Sequence, residues 1–319
     1  FPHKGSESIS RPSMSKITVF SSMPAKVRRS VFLGPEKLGK QVLRSDQFIP
    51  RMYKLHETNQ GEMSNLLSRI KHSSLVKKFV YTAVGIFSYP GLNIINKLQV
   101  NGMDKLRSLP KKNVLFVSNH QTYFAEVIAM LHVFSAVSWG RKKRIGFPFY
   151  LLWPYTRVQF VSAEETMKKN FLSKLFALAG SIMVKRVWVT DSKESRKGLD
   201  PSDTRKISRA LDKNWVITFP QGTTTPFVPG RKGTAFIIKH QRPIVIPVVV
   251  NGFSTAFDKK GVKLIKKGTG LSITFKEPMQ INYEDSTEHI LEQIMDAIEQ
   301  SDRFRPAESR RRETRTGRA

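Results

Sequence analysis

Three groups of polar residues each follow an apolar stretch directly, and they hold the side chains best suited to chemistry. The first group, residues 118–122, contains Asn119 and His120, and Glu126 follows six residues after the histidine. An imidazole can take a proton from a hydroxyl or an amine, and a neighbouring carboxylate can fix its tautomer. The spacing predicts a general base, His120, held by Glu126. The alternative for Glu126 is an acid favoured by the dipole at the start of a helix.

The second group is a turn that follows the apolar stretch 215–219. Its four polar or flexible members are Gln221, Gly222, Thr223 and Thr224. Such a turn exposes backbone N–H groups and hydroxyls, which can bind an anion or a developing oxyanion. We therefore interpret this turn as part of a substrate-binding site.

The third group consists of cations. Arg186 follows the apolar stretch 181–184, and Arg231 and Lys232 lie between two glycines after the second turn. Guanidinium and ammonium groups bind phosphate. The alternative is a solvated strand end, and the residues alone leave both interpretations open.

Taken together, these groups resemble the glycerophospholipid acyltransferase family, whose best known members are the lysophosphatidic acid acyltransferases. Asn119-His120 and the following acid are similar to its His-x4-Asp motif, and residues 180–186 to its second block. Residues 219–223, Phe-Pro-Gln-Gly-Thr, are similar to its Phe-Pro-Glu-Gly-Thr-Arg motif. Residues 246–248, Ile-Pro-Val, are similar to its last strand. The four blocks occur in the family's order, and the resemblance covers roughly residues 75–300.

Three positions depart from the family pattern. The family aspartate would fall at Ala125, one residue before Glu126, which is about 100° of rotation on a helix. The family glutamate is replaced by Gln221, and the family arginine by Thr224. That arginine is implicated in holding the acceptor's phosphate, so Arg186, Arg231 or Lys232 would have to take its place.

The resemblance implies a membrane-associated acyltransferase of phospholipid synthesis. The donor would be acyl-CoA or acyl-acyl carrier protein, and the acceptor a lysophospholipid hydroxyl of the 1-acylglycerol-3-phosphate type. His120 would be the base and Glu126 would orient it. Substrate would be bound by Asn119, Arg186, Gln221, Gly222, Thr223, Thr224 and Lys232. The resemblance implies no metal and no bound cofactor.

Two alternatives remain within this fold. The replacement of the family arginine favours an amino-lipid acceptor, acylated on nitrogen or oxygen. The changes at Ala125 and Gln221 favour a lipid-binding protein that has lost catalysis. Nucleic-acid binding has only the charge in its favour, because no nucleic-acid recognition motif is present.

The elements that must position these residues alternate between strand and helix, which predicts an α/β fold with a mixed sheet flanked by helices. Strands are predicted around residues 114–118, 158–161, 181–184, 216–219, 244–250 and 271–275. Helices are predicted over 124–134 and 171–178, from 201 onward, and around 290–298. Ligand sites in open α/β sheets lie beyond the carboxyl ends of the strands, where the polar groups fall.

The chain of 319 residues has no cysteine, which excludes disulfides, thiolate metal sites and a cysteine nucleophile. Its formal net charge is +29. Residues 1–62 contribute +6 and residues 302–319 contribute +4, so +19 belongs to residues 63–301. A field of this sign attracts polyanions such as anionic lipid headgroups and acidic carriers.

The chain divides into four predicted segments. Residues 1–62 read as a flexible basic tail, residues 98–301 as the acyltransferase domain, and residues 302–319 as an Arg-rich disordered tail. Residues 63–97 combine apolar residues at helical spacing with lysines, and Pro90 breaks the pattern. We expect an amphipathic helical pair lying in an anionic membrane interface at the cytoplasmic face; the alternative is a core helix under the domain.

Overall fold

The structure is a computed structural model that describes residues 74–164, 171–184 and 201–307. The predicted tail 1–62, the beginning of the amphipathic segment (63–73), Arg186 and residues 308–319 lie outside this part of the chain. The predicted C-terminal tail starts at 302, but a 3-10 turn occupies Asp302–Phe304 and Arg305 donates a hydrogen bond to the Phe227 carbonyl at 3.1 Å.

Strands and helices alternate along the described residues. The strands are β1 (Gln99–Asn101), β2 (Val114–Ser118), β3 (Val158–Ala163), β4 (Ser181–Val184), β5 (Trp215–Thr218), β6 (Ile244–Asn251) and β7 (Ser272–Phe275). The helices are α1 (Ser74–Tyr89), α2 (Ala125–Ser138), α3 (Phe171–Leu178), α4 (Pro201–Leu211), α5 (Lys232–Gln241), α6 (Phe253–Ala256) and α7 (Thr287–Ala297). The predicted strands, and the helices predicted after residue 100, are all present; β1, α5 and the short α6 were not predicted.

The seven strands form one mixed sheet in the order β1-β7-β6-β2-β5-β3-β4. Neighbouring strands are parallel except β6 and β7, which are antiparallel. Both residue faces of β2 and β5 are buried, as expected for central strands covered by helices on both sides. The predicted α/β fold class is therefore confirmed, and the ends of β2 and β5 lie side by side.

Alternate residues of the strands belong to two cores, one on each face of the sheet. Phe116 and Ile217 pack with α1 and α2, whereas Leu115 and Val216 pack with α4, α5 and α7. Helix α2 is buried along nearly its whole length, because its sequence is apolar on every side. This helix begins at the first polar group and holds it against the sheet.

Helix α1 packs one side against the domain and exposes apolar residues on another, so the membrane-interface interpretation of residues 63–97 stays a prediction. Val80, Tyr81 and Gly85 are buried against the domain, while the opposite side leaves Phe79 and Phe87 exposed. At Pro90 the α-helix gives way to a π-helical turn, Pro90–Ile95. Within the described residues, no helix has the length and apolar character needed to cross a bilayer.

A buried polar contact fastens α1 to α2. The His132 Nε2 atom lies 2.9 Å from the Ser88 hydroxyl, and its Nδ1 atom lies 2.8 Å from the Tyr150 hydroxyl. Burial lowers the pKa of His132 to about 4, since the charged imidazolium is poorly solvated there. The folded protein therefore holds this ring neutral.

We predict that this histidine weakens the fold in acid. Because its pKa is lower in the folded than in the unfolded chain, its contribution is full above pH ~6.5 and is lost as the pH falls towards the folded value. The free energy of unfolding should fall by up to about 3 kcal/mol between these limits. Urea unfolding of wild type and His132→Gln at several pH values measures this, and a difference between the two proteins that is independent of pH would contradict it.

Candidate active site

The turn after β2 brings His120 and Glu126 together. The Nδ1 atom of His120 lies 2.7 Å from the Glu126 Oε1 atom, which is the contact that the sequence predicts. A carboxylate accepts hydrogen bonds, so Nδ1 carries the proton and Nε2 keeps its lone pair. The His120 side chain is 14% exposed and the Glu126 side chain is fully buried. The pair can therefore act as a base whose tautomer is fixed from inside the protein.

The Glu126 carboxylate also closes the turn itself. It accepts hydrogen bonds from the backbone N–H of Gln121 at 2.9 Å, from the backbone N–H of Thr122 at 3.0 Å and from the Thr122 hydroxyl. Burial by itself raises the pKa of this carboxyl, but the charge and hydrogen bond of His120 and the hydrogen bonds from Thr122 outweigh it and hold the pKa below its usual value. The charged form is thus the stable one.

Two amide side chains attach the turn to neighbouring backbone. Asn119 donates to the Val250 carbonyl at 2.9 Å and accepts from the Val250 N–H at 2.8 Å, and it is 5% exposed. Gln121 accepts from the N–H of Phe253 at 2.9 Å. The structure thus corrects the prediction for Asn119: both of its polar groups are used by β6, which gives it a positioning role in place of substrate binding.

Phe219 connects the second polar group to the first. Its ring is stacked on the His120 ring, with 4.0 Å between the centroids and 23° between the planes. This contact was not predicted from the sequence, although Phe219 stands in the motif and directly follows β5. Because β2 and β5 are neighbours, the stacked rings place the turn 220–225 beside the imidazole.

Within this turn, Gln221 faces inward. Its side-chain nitrogen donates to the Val228 carbonyl at 3.1 Å and to the Gln300 side chain at 3.2 Å, and the residue is 3% exposed. The predicted substrate contact is therefore corrected to a brace for the loop. Thr223 and Thr224 are partly exposed, and their backbone N–H groups find no acceptor among the described residues. These two N–H groups are suited to an oxyanion.

The cations of the third group differ from one another. The Arg231 side chain packs on Gly222, whose backbone has φ +63°; a Cβ there would lie 3.0 Å from the Arg231 Nε atom. Lys232 instead forms an exposed ion pair with Glu288, and this hydrogen bond is the first cause that lowers the pKa of Glu288 to about 2. Arg231 thus lies on the turn, whereas the charge of Lys232 is directed to α7.

A lysine-rich hairpin, residues 257–267, covers the turn 119–124, which carries His120 and which we call the catalytic turn. The N–H of Tyr123 donates to the Lys259 carbonyl at 3.0 Å. Gly261 has φ +76°, and a Cβ there would lie 2.4 Å from the Thr122 hydroxyl and 2.5 Å from the Ala125 nitrogen. Only glycine fits this position, so the hairpin is fitted closely to the turn. The Asp-Lys-Lys-Gly run at 258–261 is the sequence signal for the turn of this hairpin, and no contact with the site was predicted from it.

In the residues that the structure describes, no group of three His, Asp or Glu side chains is arranged to hold a metal ion. The groups at the site and on the adjacent turn are an imidazole, a carboxylate, hydroxyls, two backbone N–H groups and an arginine. By their chemistry they could move a proton, stabilise an oxyanion and bind a phosphate.

Comparisons with known proteins bear on the same region. Residues 97–251 match the family model described as Acyltransferase, which includes the catalytic turn, β5 and the turn 220–225. Among solved structures, the chain is similar to the 1-acyl-sn-glycerophosphate (LPA) acyltransferase PlsC from Thermotoga maritima. The identity is 16%, the TM-score is 0.42, and the likeness covers 70% of this chain and 80% of that chain. No curated protein sequence gives a significant match.

Proposed function

We propose that the protein transfers a fatty acyl group from acyl-CoA or acyl-acyl carrier protein to the hydroxyl of a lysophospholipid of the 1-acylglycerol-3-phosphate type. The match of residues 97–251 to the family model described as Acyltransferase supports the acyl-transfer part of this proposal. The observation that carries the proposal is the His120–Glu126 pair, with 2.7 Å between Nδ1 and Oε1. It leaves Nε2 as a base at the carboxyl ends of the central strands.

The reaction follows from this geometry. His120 Nε2 takes the proton of the acceptor hydroxyl, and the oxygen attacks the thioester carbonyl. The N–H groups of Thr223 and Thr224, which have no acceptor among the described residues, would stabilise the oxyanion of the tetrahedral intermediate. When the intermediate collapses, the C–S bond breaks and the imidazolium returns its proton to the thiolate. Glu126 stabilises the imidazolium while it carries the charge.

A panel assay tests this function. The purified protein is offered labelled acyl-CoA or acyl-acyl carrier protein together with lysophosphatidate, other lysophospholipids and amino-lipids. We expect an ester product from lysophosphatidate. An amide or ester formed only on amino-lipids would favour the second candidate, for which Thr224 at the position of the family arginine is the supporting observation. Lipid binding without turnover on any acceptor would contradict both enzymatic proposals.

We predict that Arg231 binds the phosphate of the acceptor. The loss of a hydrogen bond to a charged group typically corresponds to roughly 10- to 100-fold in affinity. Arg231→Ala should therefore raise KM for lysophosphatidate by roughly this factor and leave KM for a phosphate-free acceptor unchanged. Steady-state kinetics with both acceptors measure the effect.

Lys232→Ala is the matched control, since it removes the adjacent cation, which pairs with Glu288. We expect little change in KM from this variant. An equal loss with phosphate-bearing and phosphate-free acceptors in Arg231→Ala would instead assign Arg231 to packing against Gly222.

We also propose that the protein acts at an anionic membrane surface on the cytoplasmic face, with α1 as its contact. Helix α1 carries Lys78, and its outer side exposes large apolar residues. Lys77 points the other way and donates to the Val158 carbonyl at 2.6 Å. A lysolipid acceptor resides in a bilayer. Peripheral binding of the protein to that bilayer would let the acceptor reach the active site without passing through water.

A further inference from the structure

The segment between α2 and β3, residues 139–153, exposes an unusual number of large apolar side chains. We call it the aromatic lobe. Its exposed members, with their exposed fractions, are Trp139 (45%), Phe147 (63%), Phe149 (58%), Leu152 (72%) and Trp153 (64%). Soluble surfaces rarely gather such residues in one patch without a binding role. Neither the catalytic geometry nor the family motifs account for them.

The lobe is held in a defined conformation. Its buried residues Tyr150 and Leu151 anchor it: the Tyr150 hydroxyl meets the His132 ring, and the Thr82 hydroxyl donates to the Leu151 carbonyl at 2.7 Å. The Trp139 indole N–H donates to the Trp153 carbonyl at 3.1 Å and ties the two ends together. The exposed rings are therefore presented by a fixed scaffold.

The lobe borders the apolar side of α1. Leu75, Phe79, Thr82 and Ile86 follow one another at helical spacing and share one side of this helix. Because Thr82 bonds to the lobe, the exposed side chains of α1 at 75, 79 and 86 lie beside those of the lobe. The Lys78 ammonium also lies over the Trp153 ring, 3.2 Å from its centroid. The two elements therefore present one apolar face.

The two segments that form this face carry cations and no acids. Four consecutive exposed cations, residues 141–144 (Arg-Lys-Lys-Arg), precede the aromatic residues. Neither α1 nor the stretch 127–163 contains an acidic residue. None of the ion pairs formed within the described residues uses these four cations. Their charge is thus available to an anionic partner.

We propose that the aromatic lobe inserts into the headgroup region of an anionic bilayer beside α1, as a second membrane contact. Tryptophan and phenylalanine beside lysine and arginine are the side chains that favour this interface. An apolar face whose two segments, α1 and 127–163, contain cations and no acids matches a bilayer of anionic lipids better than a protein partner, whose contact would be patterned with both charges. The inference rests on the proposed action at a membrane and names the surface that performs it.

The lobe lies far from the reacting groups. Helix α2 begins at the catalytic turn and ends at the lobe, and its 14 residues span about 21 Å. Changes in the lobe should therefore leave turnover of a short-chain, water-soluble acceptor unchanged. This separates membrane binding from the acyl-transfer chemistry.

The test is co-sedimentation of the full chain with vesicles of phosphatidylcholine alone or of equimolar phosphatidylcholine and phosphatidylglycerol. Two lobe variants are used: Lys142→Gln/Lys143→Gln/Arg144→Gln, and Phe147→Ser/Phe149→Ser/Leu152→Ser. The matched control is Arg205→Gln/Arg209→Gln/Lys213→Gln. It removes the same number of positive charges from α4 and from the second residue after its end, on the opposite face of the sheet.

We expect the charge variant of the lobe to lose roughly 30- to 300-fold in affinity for the anionic vesicles, and the control to bind nearly as wild type. Brominated lipids should quench the indole fluorescence of wild type, and Trp139→Phe/Trp153→Phe should remove most of this quenching. Binding by both lobe variants equal to that of the control would overturn the proposal. Equal binding of wild type to neutral and to anionic vesicles would also overturn it. A third contrary result would be the absence of quenching by brominated lipids, which would mean that another segment or a protein covers the indoles. Vesicle binding that persists without acyl transfer would refute only the proposed function.

Discussion

Replacing His120 with alanine is expected to lower acyl transfer by roughly 10²- to 10⁴-fold, which is typical of removing a general base. Glu126 fixes one edge of the ring at 2.7 Å and Phe219 covers one face at 4.0 Å between centroids. In the proposed reaction Nε2 takes the proton of the acceptor, and alanine offers no atom that could do so. Product formation from labelled acyl-CoA, measured for both proteins, gives the size of the loss.

The same variant should keep its fold and its binding to vesicles, because Glu126 still accepts hydrogen bonds from the backbone N–H groups of Gln121 and Thr122. Thermal unfolding and co-sedimentation verify this. His289→Ala is a suitable control, since that histidine is 55% exposed on α7 and lies outside the site. Turnover of His120→Ala at the level of wild type would remove His120 from the mechanism.

The sequence predicts the sheet well because its central strands have a simple signature. β2, β5 and β6 are continuous apolar runs, which is the pattern of strands covered on both faces. Helix α5 was missed for a physical reason: it begins Lys-Gly-Thr after a Pro-Gly turn, without a capping side chain or a strong apolar period. Its helical state depends on packing Ala235 and Ile238 against the sheet, which a local pattern does not reveal.

The site was predictable where residues are close in sequence. The contact between His120 and Glu126 spans six residues, and a helix starting at 125 brings them together. The directions of the two amides were not predictable, because Asn119 bonds to Val250 and Gln221 to Gln300, partners that are 131 and 79 residues away. Which backbone or side chain receives an amide is decided by the tertiary fold.

Helix α1 shows why a pattern that is apolar on more than one side has two valid interpretations. A core helix buries one apolar side, and α1 does so while it also exposes apolar residues on another side, with Tyr81 4% and Phe79 74% exposed; its contact with a membrane stays a prediction. The periodicity gives the helix but not the side that the domain covers. The aromatic lobe was missed for the same reason, since only the fold shows that its rings face outward.

The second large effect concerns Glu126. Glu126→Gln keeps the size of the side chain and one oxygen for His120, and it removes the charge that stabilises the imidazolium. We expect kcat/KM to fall by roughly 10- to 10³-fold. Because the pKa of the wild-type carboxyl lies below its usual value, the carboxylate is charged throughout the neutral range. The variant should therefore be deficient at every neutral pH, which a pH–rate profile measures.

Glu126→Asp and Glu126→Ala complete the series. Aspartate keeps the charge but is one methylene shorter, so it cannot reach His120 and the N–H groups of Gln121 and Thr122 from the same helical position. Alanine leaves these donors without an acceptor inside the protein, which costs about 1–3 kcal/mol for each buried group. We expect activity to decrease in the order Glu, Asp, Ala, and the melting temperature to fall most for alanine. If the Glu126 carboxylate has no role at His120, activity will not decrease in this order.

The double variant Ala125→Asp/Glu126→Ala is the sharpest test, since it moves the acid to the position of the family's aspartate. Ala125 is 2% exposed. Gly261 of the hairpin packs against it so closely that a Cβ added to Gly261 would lie 3.0 Å from the Ala125 Cβ. An aspartate there would meet the hairpin 257–267 and point about 100° away from the direction of Glu126. We therefore expect the double variant to be as inactive as Glu126→Ala and less stable. Recovery of activity would show that the hairpin yields and that residue 125 faces the imidazole. If the double variant is inactive while Glu126→Asp is partly active, the acid must stand at position 126. The reason would be that the hairpin packs too closely on residue 125 to admit a carboxylate there.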